Sequence, residues 1–390
     1  MSEEDKLSLN KIVGLLLKKK KRLIFYIAFF FLLFFLVWQF LIPKHNVFIK
    51  GPDMHFSRVG HTATLLQDGR VLIVGGAILN NNPVYCDYAE IYDPKTNKIT
   101  LTSKMNISRS DHTATLLKNG DVLIVGGMDE RNRSLSSVEI YNPNENKFHL
   151  IGRLNVPRAN HTATLLNDGT VLIAGGQGIN NYLSSAEIFD VKTNKFKLTN
   201  VMNTKRYNHT ATLLNNGSVL IVGGASGDEI LSSIEIYNPD TEQFKYSKNM
   251  SSERWQNTTT LLKNGDVFIL GGQNNKHNEL PTFEIFDVQS NNFKNTAEME
   301  YPRANHTATL LDNGNILITG GITPLTWGGT TLSDSIIYNP LNNKYVKLNH
   351  MKRARLKHTA TLLNNGNILI IGGMDQYQCA TQRQSELFLR

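Results

Sequence analysis

The stretch HTATLLNDGTVLIAGG, His161 to Gly176, recurs seven times with small changes. Its copies start at His61, His112, His161, His209, Asn257, His306 and His358, a period of 48 to 52 residues. A fixed period of that size marks an array built from one supersecondary unit per repeat, in a propeller or a solenoid. By length alone 390 residues would suit two or three ordinary domains. The repeat overrides that expectation, because units that bury their faces only against their neighbours form one body.

Within a copy, a first strand (His161 to Leu166) meets a turn carrying Asp-Gly or Asn-Gly, as at Asp68-Gly69, Asn119-Gly120, Asn216-Gly217 and Asn365-Gly366. These pairs predict a two-residue hairpin turn with positive φ. The second strand, Val171 to Ala174, is an unbroken apolar run of the kind covered on both faces. It ends in Gly-Gly in every copy, from Gly75-Gly76 to Gly372-Gly373, where a missing Cβ lets backbones approach closely. After a variable loop comes a third strand such as Ala89-Glu90-Ile91-Tyr92. Asp-Pro or Asn-Pro follows at 93-94, 142-143, 238-239 and 339-340, fixing a type I turn. A short strand with an aromatic, such as Asn146-Lys147-Phe148, closes the unit. Four antiparallel strands per repeat make a propeller blade.

Arg-x-x-His, apolar strand, Gly-Gly, then Ser-x-Glu-Ile-Tyr-Asp/Asn-Pro and a final aromatic resembles the kelch repeat, in particular its bacterial, membrane-anchored form. The resemblance covers about residues 46 to 390. It implies an all-β fold, a seven-bladed propeller of four-stranded antiparallel blades. Fold likeness does not fix function, because propellers host many unrelated roles.

The formal charge is +8, but residues 1 to 22 hold seven Lys or Arg against three acids, so half of the excess lies in that tail. The propeller itself is only mildly basic, which argues against nucleic acid as a partner. Lys18 to Arg22 is an unbroken basic run, and residues 23 to 42 follow with no charge before Pro43. As a helix they would span about 30 Å, the hydrocarbon thickness of a bilayer. A cleavable signal would have a shorter apolar core and small residues after it; Trp38-Gln39-Phe40-Leu41-Ile42 offers none. The expectation is an uncleaved transmembrane helix with a cytoplasmic tail over 1 to 22, set by the basic run. The propeller is then extracytoplasmic, in a periplasm or outside the cell.

Asn46-Val47-Phe48 stands ten residues before Arg58 as Asn146-Lys147-Phe148 stands before Arg158, and the last repeat stops in its third strand at Arg390. Residues 46 to 50 should therefore supply the missing outer strand of the last blade and remove the open edges of the ring. Cys86 and Cys379 are the only cysteines and fall in equivalent loops of repeats one and seven. In an oxidising compartment a disulfide there would contribute about 2 to 4 kcal/mol. Two free thiols result if their Cα atoms stand beyond about 7 Å.

Seven arginines (58, 109, 158, 206, 254, 303 and 355) share one spacing, and a glutamate recurs with them at 90, 139, 187, 235, 284 and 386. A residue repeated in every blade serves the blade, so internal Arg-Glu pairs are the simpler reading than a ring for anionic ligands. Repeat six has Ile336 in place of the glutamate, which leaves Arg303 unpaired and available. The six histidines carry no accompanying acid and read as hydrogen-bonded structural groups, with no metal and no cofactor. No nucleophile elbow, His-Glu-x-x-His or phosphate-binding glycine loop occurs, so no catalytic residue is assigned.

Binding is best sought where the symmetry breaks. Repeat five replaces histidine by Asn257 and sets Trp255 and Gln256 beside it; repeat six has a long loop with Trp327; Tyr85, Tyr182 and Tyr377 stand in other loops. With Arg303, these residues are the candidate contacts for a protein or glycan partner. The alternative is a carbohydrate-modifying enzyme on the same loops, since the chain is also similar to bacterial periplasmic kelch propellers that epimerise sialic acid. Likeness to copper radical oxidases would require a Tyr-Cys cross-link and ligands from a further domain, which this sequence does not offer. The Asn- and Lys-rich sequence suggests a bacterial source. Asn106 and Asn132 would accept glycans only on a eukaryotic secretory route.

Overall fold

The computed structural model describes residues 18–19, 29–30, 46–79, 84–276, 278–324, 328–376 and 380–390. The chain divides into two units, Met1–His45 and Asn46–Arg390. In the first, Lys18, Lys19, Phe29 and Phe30 are helical and exposed. The expected membrane span, 23 to 42, otherwise lies outside the described residues. Among those described, no helix is long and apolar enough to cross a membrane.

The second unit is a seven-bladed propeller, each blade a four-stranded antiparallel sheet. In blade three the order from the inside is Thr162–Leu165, Val171–Ala174, Ala186–Asp190 and Lys195–Leu198. The inner strands of successive blades neighbour one another all the way round. Every second strand is fully buried, as its apolar run requires, because both faces of a blade are covered by other blades. Alternate side chains go to opposite seams. Ala63, Leu65, Val71, Ile73 and Tyr92 pack on blade seven, and Leu72, Val74, Ala89 and Ile91 pack on blade two. Seven such clusters, one per seam, replace a single central core.

The outer strand of blade seven is Val47–Lys50, which pairs antiparallel with Ser385–Leu389 in the register Phe48 to Phe388. The two rings pack at 5.0 Å. Val47–Lys50 thus ties the start of the propeller to its last residues and leaves blade seven as complete as the rest.

The first hairpin turn differs from the two-residue form. Gly69 N donates to the Leu66 carbonyl and Leu66 N to that of Arg70, and Gly69 alone in this turn has positive φ. A type I turn followed by a left-handed glycine needs only that one position free of Cβ strain. Asp68 stays right-handed and uses its carboxylate to accept from Arg70 N at 3.0 Å.

The Gly-Gly pair has a specific reason. A Cβ on Gly75 would lie 2.5 Å from the Arg109 carbonyl and 2.7 Å from the His112 ring, both in the next blade. Gly76 N donates to that same Arg109 carbonyl at 2.9 Å. The contact repeats at every seam, ending with Gly373 N on the Arg58 carbonyl. Phe48→Ala should therefore cost about 3 to 5 kcal/mol in urea denaturation, as for a buried aromatic. Leu341→Ala, at a side chain 90% exposed, should cost under about 0.5 kcal/mol.

Candidate functional site

The seven arginines are fully buried. In blade three, Arg158 Nη2 donates to Glu187 at 2.8 Å, and Nη1 donates to the carbonyls of Gly175 and Ser185. The other Glu187 oxygen accepts from the backbone and side-chain amides of Asn155. The pair holds the loop ahead of the inner strand onto the blade. These guanidiniums are spent on structure and form no anion-binding ring.

Arg303 is a correction. It is buried and paired, donating to Asp334 at 2.6 Å. In blades two to five the residue two places before the glutamate already touches the guanidinium through a hydroxyl, as Ser137, Ser185, Ser233 and Thr282 do. In blade six that residue is Asp334, which brings the carboxylate to the same place. Glu300 stands where Asn106, Asn155 and Asn203 donate to their glutamates. It would repel a carboxylate at 336, and it pairs with Lys347 instead.

Each histidine bonds through Nε2 to the first threonine of the preceding blade: Thr62 to His112, Thr113 to His161, Thr162 to His209, Thr258 to His306, Thr307 to His358 and Thr359 to His61. Burial, aided by the neighbouring arginine, pushes His61, His209 and His306 down to about 3. The seam between blades four and five is the exception. Among the described residues, Thr210 Oγ1 and both polar atoms of Asn257 are buried there without a partner, because the amide is shorter than imidazole. A hydroxyl pair, Thr212 with Thr259 at 2.9 Å, partly compensates.

Above the inner strands, the residue after each arginine bridges the residue after Gly-Gly, which in all seven blades bridges on into the following loop. Bridged residues share one face. In blades three to five this row brings aromatics together. Tyr182 stacks on Tyr207 at 4.6 Å, and Tyr207 meets Trp255 edge-on at 6.2 Å. Trp255 and Tyr182 are thus joined through Tyr207, which sequence reasoning missed; its signal was an aromatic directly after the repeated arginine. Gln256 takes a left-handed φ of 58° and accepts from Asn305 Nδ2 at 2.6 Å. Tyr85 belongs to blade one and donates to Asn132 Oδ1 at 2.7 Å, apart from this group. Trp327, Tyr377 and Cys379 lie outside the described residues, so the expected disulfide does too; Cys86 is buried.

Glu279 was also missed, being a lone acid in a variable loop. It is buried, one carboxylate oxygen has no partner among the described residues, and burial raises its pKa. It bridges Gln273, which bridges Trp255. No group of three His, Cys, Asp or Glu able to hold a metal occurs among the described residues.

Ring, seams and loop row define a β-propeller whose variable side chains gather on one face. A family model described as the KLHDC2/KLHL20/DRC7 Kelch-repeats domain matches residues 60–257. A second, the Attractin/LZTR1 beta-propeller, matches residues 184–389. The chain belongs to the kelch-repeat propeller family. Among solved structures it is similar to a fungal alcohol oxidase of the AA5 family in complex with copper, with TM-score 0.69 and 14% identity over 89% of this chain and 76% of that one. That likeness is one of fold, and the buried, threonine-bonded imidazoles described here do not offer a copper donor set. No curated protein matches the chain.

The histidine ring yields a pH prediction. Above pH 6.5 both folded and unfolded imidazoles are neutral. Below it the unfolded chain binds protons that buried His306 refuses until about 3, so stability falls with pH across that window. His306→Asn should flatten the slope by up to about 1.4 kcal/mol per pH unit in urea titrations between those limits, and an unchanged slope would refute the assignment. Glu279 behaves with the opposite sign. Its ionised form is disfavoured, so Glu279→Gln should raise the melting temperature at pH 8 and have less effect at pH 4.

Proposed function

We propose that this chain is a binding protein that engages a protein partner through the loop face of blades three to five, without catalysis. The carrying observation is the aromatic row Tyr182, Tyr207 and Trp255, contributed by three consecutive blades. Half-buried aromatics fixed by one another lose little entropy on binding and are typical energetic anchors of interfaces. Kelch propellers generally bind protein partners, which supports this choice. A glycan could stack on the same rings. A carbohydrate-modifying enzyme would need an available charged group on this face, and the pairing of Arg303 with Asp334 takes Arg303 out of that role.

The proposal includes a place in the cell. Residues 23 to 42 anchor the chain in a bilayer, residues 1 to 22 stay cytoplasmic and the propeller is displayed on the other side. The charge-free run after Lys18 to Arg22 supports it. Labelling of intact cells with a membrane-impermeant amine reagent should modify propeller lysines and spare Lys18 to Lys21; reaction of that run would reverse the orientation.

Capture of partners by the tagged full-length chain tests the binding face. Tyr207→Ala with Trp255→Ala should reduce capture at least about tenfold, as expected for paired anchors. Leu341→Ala, in the turn that joins the third and outer strands of blade six, should leave it unchanged. Equal capture by the aromatic double variant would sink the assignment.

A further inference from the structure

Blades four and five enclose a second feature on this face, a groove of about 600 Å³ lined by Thr204, Glu229, Ile230, Tyr246, Glu253 and Asn275 among others. Two carboxylates line it and no lysine or arginine does. Lys205 is adjacent in sequence to Thr204 and exposed, but it is not part of the lining. Neither Glu229 nor Glu253 has an ion-pair partner among the described residues, although the chain as a whole carries +8.

The groove is preformed. The Asn275 amide reads both backbone groups of Ile230, accepting from its N at 2.6 Å and donating to its carbonyl at 3.1 Å, which fixes one blade's hairpin to the next. Tyr246 is 57% exposed, and its hydroxyl is hydrogen-bonded to Thr204 at 2.7 Å, so the ring is held with a face toward solvent. A concave site with two unneutralised carboxylates and an anchored aromatic ring matches an alkylammonium or a guanidinium on a long apolar stem. Carboxylates supply charge-assisted hydrogen bonds, the ring a cation–π face, and the cavity walls cover the methylene chain.

We infer that this groove receives a lysine or arginine side chain of the protein partner. The inference rests on the loop-face binding reading and names the partner's chemistry there. Glu253 and Trp255 belong to the same short segment leading into the inner strand of blade five, so groove and aromatic row share that segment.

Fluorescence anisotropy tests this with the full-length chain in detergent and labelled tetrapeptides that carry two arginines, two lysines or two glutamines. The arginine and lysine peptides should bind saturably and lose affinity with added salt. The isosteric double change Glu229→Gln with Glu253→Gln should weaken them at least tenfold, and Tyr246→Ala should weaken them further. Glu130→Gln, at an exposed acid in the blade-two hairpin, should have no effect. Glutamine peptides binding as tightly as basic ones, or unchanged binding by the Glu229/Glu253 variant, would overturn the inference. That outcome alongside Trp255-dependent partner capture would leave the loop-face reading standing, whereas intact basic-peptide binding without such capture would strike that reading alone.

Discussion

A guanidinium cannot be buried alone, and this propeller buries one in every blade. Leaving a charge unpaired in a protein interior costs several kcal/mol, a large share of a domain's net stability. Each arginine therefore dictates where a carboxylate, a glycine carbonyl and a loop must stand. Its own carbonyl then receives the second glycine of the previous blade, so one residue organises both its blade and the adjoining seam. The Gly-Gly pair, the glutamate in the third strand and the loop that delivers the arginine are parts of one arrangement. A change in one has to be met by a carboxylate delivered from elsewhere, as blade six shows.

Blade six shows how strict the requirement is. The glutamate is gone, Ile336 is buried in its place, and Asp334 two residues earlier carries the charge. The blade keeps its register because the guanidinium was already within reach of that position's hydroxyl in other blades. Blade five shows the converse. Its Arg254–Glu284 pair is intact, while the histidine bonded to the preceding blade elsewhere is Asn257. Structural bonds are relaxed at one seam only where the pair beneath still holds, and that seam carries Tyr207, Trp255 and the carboxylate-lined groove.

Much of the architecture was legible because repetition averages over local ambiguity. Seven copies of one apolar run and one Gly-Gly pair say more than any single strand would. The terminal strand could be read from the spacing of Phe48 to Arg58. The Arg-Glu pairing was readable everywhere but in blade six, because the pairing partner is set by reach across a sheet and not by alignment position. The turn type was misread because Asp-Gly suits both hairpin forms, and only the backbone bonds of Leu66 and Gly69 tell them apart. For the site, Trp255 stood out by its rarity. Tyr207 and Glu279 did not, since their neighbours come from bridges between segments distant in sequence.

The buried charge in blade six offers the most direct measurement of what the guanidinium contributes. Urea denaturation of Asp334→Asn should show a loss of about 3 to 5 kcal/mol, as when a buried ion pair loses one partner. Adding Ile336→Glu together with Glu300→Asn should restore most of it by rebuilding the arrangement of the other blades. A near-neutral Asp334→Asn, or no recovery in the rebuilt blade, would show that the guanidinium does not govern the fold.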